Sequence, residues 1–335
     1  MSDTLKSRLL QLLLDNRDKP VSGQLLSGQL GVTRAAVWKE IEQLRREGFV
    51  ITSATNRGYQ LTQMPDLLTR ELIGGYLPSS RKASVICMQE VDSTNTAAQK
   101  LILEGGEDGL VVVADHQTKG SGRMGRPFLS PAGVGVYLSM VVQPHCTTDA
   151  LNLLTSYAGL AVCLTIEECT GLRPSIKWPN DVILEGKKVC GILTKLVSDG
   201  ENNRVTHAVI GIGINVGQEE FPQELRDKAI SLRQAGAQDL CRAKLAATLI
   251  QVLDRIFFEE KWLQTTPDAA LEQLKERSCT LGREVLIISP REERRGQAVD
   301  LDRWGGLVVD FSDGSRETVT FGEVSVRGVL GYLPQ

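Results

Sequence analysis

Leu110–Pro131, which reads LVVVADHQTKGSGRMGRPFLSP, decides the fold of the central part of this chain. Its apolar start predicts a buried β-strand over Leu110–Asp115. The glycines that follow match the G-x-G-x-x-G pattern of dinucleotide-binding folds, in which a helix must open at the third glycine. Pro127 and Pro131 disfavour such a helix. We therefore expect a long glycine-rich loop after the strand and no Rossmann fold.

Three cations, Lys119, Arg123 and Arg126, lie in this glycine-rich loop. Glycines let backbone amides approach an anion closely, and cations neutralise its charge. The P-loop pattern, GxxxxGK followed by Ser or Thr, is absent from the sequence, which excludes a P-loop NTPase. A flexible surface loop is the alternative. A loop this basic inside an otherwise acidic region favours an anion-binding site instead.

Strand-like and helical runs surround the loop over residues 66–272. The strands are expected at Ser84–Val91, Val134–Val142, Val182–Leu184 and Val205–Val216, and the helices at Asn95–Leu103, Asp149–Cys169 and Leu240–Trp262. Strands mixed with helices predict an α+β fold with a mixed sheet. Over residues 273–335, short β-runs alternate with Gly, Asp and Ser turns, at Glu284–Ser289, Gly296–Asp300, Leu307–Phe311 and Glu323–Arg327. That spacing predicts a small antiparallel barrel.

The first 65 residues are typical of a winged helix-turn-helix. Helical segments at residues 5–12, 24–30 and 34–47 are followed by strand-like runs at 49–52 and 58–61. Gly31 lies in the turn before the third helix, and Thr33 is a good N-cap for that helix. The outward face of the third helix is expected to carry Arg34, Ala35, Trp38, Lys39 and Arg45. The residues expected to face DNA are Gly23, Thr33, Arg34, Ala35, Trp38, Lys39, Glu42 and, in the wing, Arg57. The alternative is a three-helix protein-interaction module with a solvated basic face.

The charge of the chain is distributed unevenly. The total is −3, from 38 Lys and Arg against 41 Asp and Glu, and this value alone argues against nucleic-acid binding. Residues 1–62, however, hold nine Lys and Arg against six Asp and Glu, a net of +3, so the remainder carries −6. A small basic unit joined to a larger acidic one is compatible with a DNA-binding module attached to another domain.

The N-terminus, the apolar runs and the cysteines of the sequence lead us to expect a cytoplasmic protein. The N-terminus lacks the basic and apolar regions of a signal peptide, and no run reaches the 18 or so apolar residues of a membrane span. The seven cysteines are scattered without a CxxC pair, and the three histidines do not cluster. We therefore expect reduced thiols and no structural metal site.

Two more segments carry polar residues beside predicted strands. Lys177–Asp181 reads KWPND and places an amide and a carboxylate side by side just before a strand. Lys188 opens the next strand of a hairpin, where its side chain can point into a pocket. Asn215 lies at the end of a third, apolar strand, Ala208–Val216. Each residue alone is more often structural, but the combination points to one functional site.

In order and spacing, these segments resemble the bifunctional biotin–protein ligases that are also biotin operon repressors. The matching segments are the winged helix-turn-helix, Val91–Asn95, Gln117 with Gly120–Arg126, Lys177–Asp181, Lys188–Leu193, Gly211–Val216 and Gly322–Ser325. The usual loop of the family reads GRGRxGR, and here Ser121 replaces its first arginine. The resemblance implies a DNA-binding domain at 1–65, an α/β ligase domain at 66–272 and an SH3-like barrel at 273–335.

The resemblance also implies an activity and its site residues. Such enzymes make biotinyl-5′-AMP from biotin and ATP with Mg²⁺, and then pass biotin to a lysine of a carboxyl carrier protein. Biotin would be bound by Ser93, Thr94, Asn95, Gln117, Gly120, Ser121, Gly122, Arg123 and Lys188. The nucleotide would be bound by Arg126, Trp178, Asn180 and Asn215. Arg123, Lys188 and Asp181 would be catalytic, with Asp181 orienting or deprotonating the lysine amine or, alternatively, binding Mg²⁺.

A regulatory cycle follows from the same resemblance. The adenylate would order the loops around the site, including a lid at Gln218–Leu232, and would favour a homodimer that binds operator DNA as a repressor. Three alternatives remain at this point: a lipoate–protein ligase, a ligand-sensing transcription factor without catalysis, and a generic nucleotide-binding scaffold. Arg123 and Lys188 together argue against the second, and the helix-turn-helix argues against the third.

Overall fold

The computed structural model describes residues 4–54, 58–199, 204–289, 292–320 and 325–328. The chain divides into two compact units, Met1–Arg81 and Lys82–Gln335. The predicted helix-turn-helix lies in the first unit. The predicted ligase domain from Lys82 onward and the predicted barrel together form the second.

Three helices and a two-stranded sheet make up most of the N-terminal unit, as the sequence predicts. They are α1 (Leu5–Asp15), α2 (Gly23–Leu30), α3 (Arg34–Arg46), β1 (Val50–Ala54) and β2 (Gly58–Gln63). The hydroxyls of Ser22 and Thr33 accept backbone N–H bonds at the starts of α2 and α3, which satisfies donors that a helix leaves free. Gly31 ends α2 at a φ of 69°, a left-handed conformation that glycine adopts without strain.

A short helix after the wing belongs to the N-terminal unit, although the sequence around Pro65 suggests a linker. This helix, α4 (Arg70–Gly74), is capped by Thr69 and buries Leu72 and Ile73. The Ser7 hydroxyl of α1 donates a hydrogen bond of 2.8 Å to the Glu71 carboxylate. These contacts place residues 66–81 with the first unit. The border at 272 and 273 stays a prediction.

A seven-stranded mixed sheet forms the centre of the second unit. Its strands are β3 (Val85–Val91), β4 (Val111–Gln117), β5 (Gly135–Val142), β6 (Ser175–Lys177), β7 (Asp181–Leu184), β8 (Lys187–Ser198) and β9 (Val205–Asn215). They lie in the order β3-β4-β5-β9-β8-β7-β6. Only the β3–β4 pair is parallel among these neighbours, which confirms the predicted mixed sheet.

Helices cover both faces of the sheet. On one face α5 (Thr94–Leu103) packs through Ala98 against Val112, Val141 and Val209. On the other face α6 (Leu153–Thr170) contacts β8, and α7 (Arg242–Asp254) packs beside it. Residues 149–170 are long and apolar enough to cross a membrane, with mean hydropathy 1.4, but 72% of their most apolar window is buried in this unit. This segment is therefore the core helix of the fold.

A five-stranded antiparallel sheet ends the second unit and confirms the predicted small β domain. After α8 (Trp262–Thr265) and α9 (Asp268–Glu276) come β10 (Glu284–Ile288), β11 (Glu293–Leu301), β12 (Leu307–Phe311), β13 (Arg316–Val319) and β14 (Ser325–Gly328). The Trp178 indole N–H donates to the Gly305 carbonyl at 2.9 Å, and the Trp178 backbone N–H donates to the Thr280 hydroxyl. These bonds tie the KWPND segment to the β domain.

The seven cysteines are free thiols. Burial raises the pKa of the Cys163 thiol to about 12, and burial also raises the pKa of Cys190. A thiol whose pKa lies far above neutral pH is a poor nucleophile. These two cysteines therefore pack in the core of the second unit and do not contribute a reactive thiolate.

Candidate active site

The segments singled out in the sequence converge on one cleft in the second unit. Eight of the predicted ligand-binding residues line it, namely Ser93, Thr94, Asn95, Gln117, Ser121, Gly122, Asn180 and Lys188. Seven further residues complete the lining, namely Phe128, Gly191, Ile192, Leu193, Gly211, Ile212 and Gly213. The cleft lies between the start of α5, the glycine-rich loop and the paired strands β8 and β9.

Glycines form the floor of the cleft. Gly211 pairs with Leu193 across β8 and β9, and Gly213 pairs with Gly191. A Cβ atom on Gly211 would lie 2.3 Å from Asn95 Oδ1, and one on Gly213 would lie 2.4 Å from Phe128 Cε1. Because glycine has no side chain, Asn95 and Phe128 lie directly against the sheet here, and a ligand can approach it equally closely.

One end of the cleft is a network of uncharged polar groups. Gln117 Oε1 accepts a hydrogen bond from the Thr94 backbone N–H at 2.9 Å and lies 3.1 Å from the oxygen of the Thr94 hydroxyl. Gln117 Nε2 donates to Ser130 Oγ at 2.9 Å. Behind them, Asn95 Nδ2 donates to the Leu193 carbonyl at 3.0 Å. Such fixed donors and acceptors suit a neutral ring with several polar atoms.

The other end of the cleft is lined by Lys188 and Asn180, and Arg123 and Asp181 contact these two residues without lining the cleft themselves. Lys188 Nζ lies 2.6 Å from Asp181 Oδ1, and its side chain is 30% exposed. Arg123 donates to Asn180 Oδ1 at 3.3 Å. Burial lowers the pKa of Arg123, which the nearby Asp181 carboxylate opposes. Both cations are therefore held in place before an anion binds, so little rearrangement of their side chains is needed to contact it.

The remaining predicted residues lie around the cleft or beneath it. Arg126 is exposed, and its carbonyl accepts the Gly122 N–H at 2.7 Å. Gly120 packs against the backbone of Phe128, where a Cβ atom would lie 2.4 Å from the carbonyl oxygen. Trp178, 4% exposed, faces the β domain through its bond to Gly305. The cleft thus does not bring Trp178 together with the other predicted residues.

Asn215 is buried at the base of the segment predicted as a lid. Its amide donates to the Ile230 carbonyl at 3.3 Å, and its Oδ1 accepts from Gln218 Nε2 at 3.2 Å. The Ser231 hydroxyl donates to the Gln218 carbonyl at 2.6 Å. In this structure Asn215 therefore anchors both ends of residues 218–232.

Sequence reasoning missed several residues of the cleft. Phe128 lies over Gly213, with Lys188 Nζ 5.9 Å from the centre of its ring. Ser139, a fully buried residue of β5, stands behind Thr94 and Asn95. The signals were present: Gly211 and Gly213 alternate along one strand, and Ser139 interrupts the apolar run Val136–Val142.

Five of the predicted DNA-facing residues lie together at the start of α3. Thr33, Arg34, Ala35, Trp38 and Lys39 are exposed along the first turns of α3, with Trp38 56% exposed. An exposed cationic helix start is the arrangement that contacts DNA phosphates and base edges.

The other predicted residues of this face differ in exposure. Gly23 is half-buried at the start of α2. Glu42 is half-buried and pairs with Arg45 at 2.6 Å, and Arg45 also donates to the Ile51 carbonyl of β1. Arg57 lies outside the described residues.

Comparison with known proteins agrees with this geometry. Residues 6–60 match the HTH domain, residues 86–215 the Biotin/lipoate A/B protein ligase family, and residues 280–327 the Biotin protein ligase C terminal domain. The chain is 33% identical to the "Bifunctional ligase/repressor BirA" of Bacillus subtilis over 95% of its own length and 97% of that protein. It is 31% identical to the protein of that name in Escherichia coli over 97% and 98%.

A solved structure gives the same result. The biotin protein ligase from Aquifex aeolicus in complex with biotin and ATP superposes with a TM-score of 0.63 at 31% sequence identity. The superposition covers 73% of this chain and 99% of that one. The match in sequence spans the winged helix-turn-helix, the ligase sheet and the β domain alike. The chain therefore belongs to the family of bifunctional biotin–protein ligase/repressors.

Proposed function

We propose that this chain activates biotin with ATP to biotinyl-5′-AMP and transfers biotin to a lysine of a carboxyl carrier protein. The observation that carries the proposal is the division of the cleft into two ends. An uncharged polar network lies at one end, and the cations Lys188 and Arg123 lie at the other. Biotin has the same division, since a polar ureido ring lies at one end and a carboxylate at the other.

In the first step the biotin carboxylate attacks the α-phosphate of ATP, and pyrophosphate leaves. Two anions must approach each other, so the cations at Lys188 and Arg123 offset their repulsion and stabilise the charge that develops at phosphorus. Asp181 Oδ1 lies 2.6 Å from Lys188 Nζ and neutralises its charge.

Magnesium accompanies ATP, and the groups beside Lys188 fit it. Mg²⁺ is commonly held by one or two carboxylates together with substrate phosphates. The Asn180 amide oxygen would supply one protein oxygen, and the Asp181 carboxylate would supply another only in its alternative role as a metal ligand. The ion would offset charge on the phosphates. Within the described ranges, no three His, Cys, Asp or Glu side chains are grouped to hold a metal by themselves.

In the second step a lysine amine of the carrier attacks the mixed anhydride, and AMP leaves. The enzyme must orient this amine and remove its proton. Asp181 lies at the cleft beside Lys188 and is the carboxylate that we assign to this role.

The other residues bind the two substrates around this centre. Ser93, Thr94, Asn95, Gln117, Gly120, Ser121 and Gly122 surround biotin, while Arg126 and Asn180 contact the nucleotide. Trp178 and Asn215 support the nucleotide side from beneath, through the β domain and the 218–232 segment.

The carrier-transfer assay tests the enzymatic proposal. Full-length protein, biotin, MgATP and an apo carrier domain should yield a carrier whose mass rises by one biotinyl group. Lipoate in place of biotin, with an apo lipoyl domain, serves as the matched control. Transfer of lipoate without transfer of biotin would contradict the proposal.

The helix-turn-helix makes the same chain a transcriptional repressor with biotinyl-5′-AMP as corepressor. We propose that adenylate binding favours a homodimer in the cytoplasm, so that two α3 helices bind two operator half-sites. Biotin with ATP should then tighten operator binding in a gel shift at fixed salt. Equal operator affinity with and without them would overturn this coupling.

Operator binding should depend on the exposed cations of α3. Replacing Lys39 with alanine is expected to weaken operator binding and to reduce the salt dependence of affinity by about one unit in the log–log slope, because one phosphate contact is lost. Fluorescence anisotropy over a salt series measures both. Lys261→Ala, which removes a cation from the second unit, should leave the slope unchanged.

The glycine floor should be intolerant of a side chain at residue 213. Gly213→Ala would place a Cβ atom 2.4 Å from Phe128 Cε1, so the ring must move and the loop with it. We expect the KM for biotin to rise about tenfold or more, as overpacking costs about 1–3 kcal/mol. Gly74→Ala, where the added Cβ meets nothing within 4 Å, is the control. An unchanged KM would show that biotin does not use this floor.

A further inference from the structure

Ser139 is a buried hydroxyl that the proposed chemistry leaves unused. It lies in β5, where the neighbouring residues Val136–Val142 are otherwise apolar, and its exposure is 0%. Its Oγ lies 2.8 Å from Thr94 Oγ1 and 2.7 Å from Asn95 Oδ1. A fully buried hydroxyl in a core strand costs stability unless its hydrogen bonds are made, so these two contacts define what Ser139 does.

The direction of each hydrogen bond follows from the neighbouring groups that can only donate or only accept. The Leu193 carbonyl can only accept, so the Asn95 side chain turns Nδ2 toward it and presents Oδ1 to Ser139. Asn95 Oδ1 can only accept as well. The single proton of Ser139 therefore goes to Asn95.

The proton of Thr94 is then directed inward. Ser139 Oγ also lies 2.8 Å from Thr94 Oγ1, and one hydroxyl proton cannot serve both contacts. With its proton on Asn95, Ser139 can only accept from Thr94. The other neighbour of the Thr94 hydroxyl is Gln117 Oε1, which the Thr94 backbone N–H marks as an acceptor. The contact with Ser139 is the shorter of the two, and Gln117 Oε1 already accepts the Thr94 backbone N–H, so the Thr94 proton goes to Ser139. The side of Thr94 Oγ1 that faces the cleft then offers a lone pair and no proton.

We propose that Ser139, acting through Asn95 and Thr94, makes the polar end of the cleft selective for a ring that presents an N–H group. This inference rests on the proposed function and adds the origin of its substrate choice. A cyclic urea donates through its N–H, and its carbonyl can accept from the second Nε2 proton of Gln117. A dithiolane ring offers no N–H, so it would leave the Thr94 acceptor without a partner, which a buried site tolerates poorly.

Gly211 supports this arrangement. A Cβ atom at residue 211 would lie 2.3 Å from Asn95 Oδ1 and 2.7 Å from Asn95 Nδ2. Gly211 also pairs with Ser139 across β5 and β9. The strand therefore leaves room for the Asn95 amide at the one orientation that accepts the Ser139 proton.

The test is a pair of substitutions measured alone and together in the full-length protein. Ser139→Ala should raise the KM for biotin in pyrophosphate release about 10- to 100-fold, with kcat and the KM for ATP changed less than about threefold. In a Thr94→Val background, Ser139→Ala should raise the KM for biotin less than about twofold, because its effect passes through the Thr94 hydroxyl. Equal factors in both backgrounds would overturn the inference.

A second ligand and a second variant complete the test. Desthiobiotin keeps the ureido ring, so Ser139→Ala should weaken the binding of desthiobiotin by the same factor as that of biotin. Unchanged binding of desthiobiotin would also overturn the inference.

Should thermal melting show that Ser139→Ala does not fold, Ser139→Cys keeps the volume with a weaker donor and carries the same comparison. Thr165→Val removes another fully buried hydroxyl, bonded to its own helix at Ala161, and should leave the KM unchanged. A wild-type protein inactive with biotin and ATP would instead refute the proposed function.

Discussion

Replacing Lys188 with alanine should slow biotin-dependent pyrophosphate release about 100- to 1000-fold. Lys188 Nζ lies at the cationic end of the cleft, 2.6 Å from Asp181 and beside the ring of Phe128. Its charge acts where two anions meet, so its loss raises the barrier of the first step more than it weakens binding. A coupled pyrophosphate assay with saturating biotin and MgATP measures the change in kcat.

Two comparisons make the Lys188 prediction specific. Lys195→Ala removes a cation of the same type from the far part of β8 and should keep kcat within about twofold. Transfer from added biotinyl-5′-AMP to the carrier should fall less in Lys188→Ala than adenylation does, because that step does not bring two anions together. An equal loss in both half-reactions would show that Lys188 supports the fold of the cleft and not the adenylation barrier.

Much of the fold follows from patterns that are local in the sequence. The alternation and apolar runs predicted β3, β4, β5 and β9 within one or two residues, because buried strands carry their signal along their own length. The turn at Gly31 and the cap at Thr33 placed α3 in the same way. The sequence analysis missed the nine-residue helix α9 and four shorter elements, α4, β6, α8 and β13, which are three to five residues long. Segments that short show no clear period.

The site was only partly predictable, for a different reason. Motif residues such as Gln117 and Lys188 stand in recognisable segments, whereas Ser139 matters through contacts with α5, far away in the chain. Trp178 belongs to a motif but turns its indole toward Gly305. Such contacts depend on which strands pair, and the pairing of β5 with β9 cannot be deduced from either strand alone.

The largest effect on stability is expected at Arg242. Its side chain is 2% exposed, and Nη1 lies 2.6 Å from Asp115 Oδ1 and 3.2 Å from the Gly135 carbonyl. Asp115 Oδ2 in turn accepts the Gly133 N–H at 3.1 Å. Arg242→Met would leave the Asp115 carboxylate, 23% exposed, without its buried cation. Breaking such a pair costs about 3–5 kcal/mol, so we expect the free energy of unfolding to fall by about 3 kcal/mol.

Urea unfolding of the second unit, followed by the fluorescence of Trp178, Trp262 and Trp304, measures this change. Because the chain has two units, the Trp38→Phe background removes the signal of the first one. Arg233→Met breaks an exposed pair with Glu219 and should cost less than about 1 kcal/mol.

Adding Asp115→Asn to Arg242→Met should restore part of the lost free energy of unfolding, because the unpaired charge is then gone. If the double variant is instead less stable than Arg242→Met, the cost arises from lost packing of the arginine and not from an isolated carboxylate.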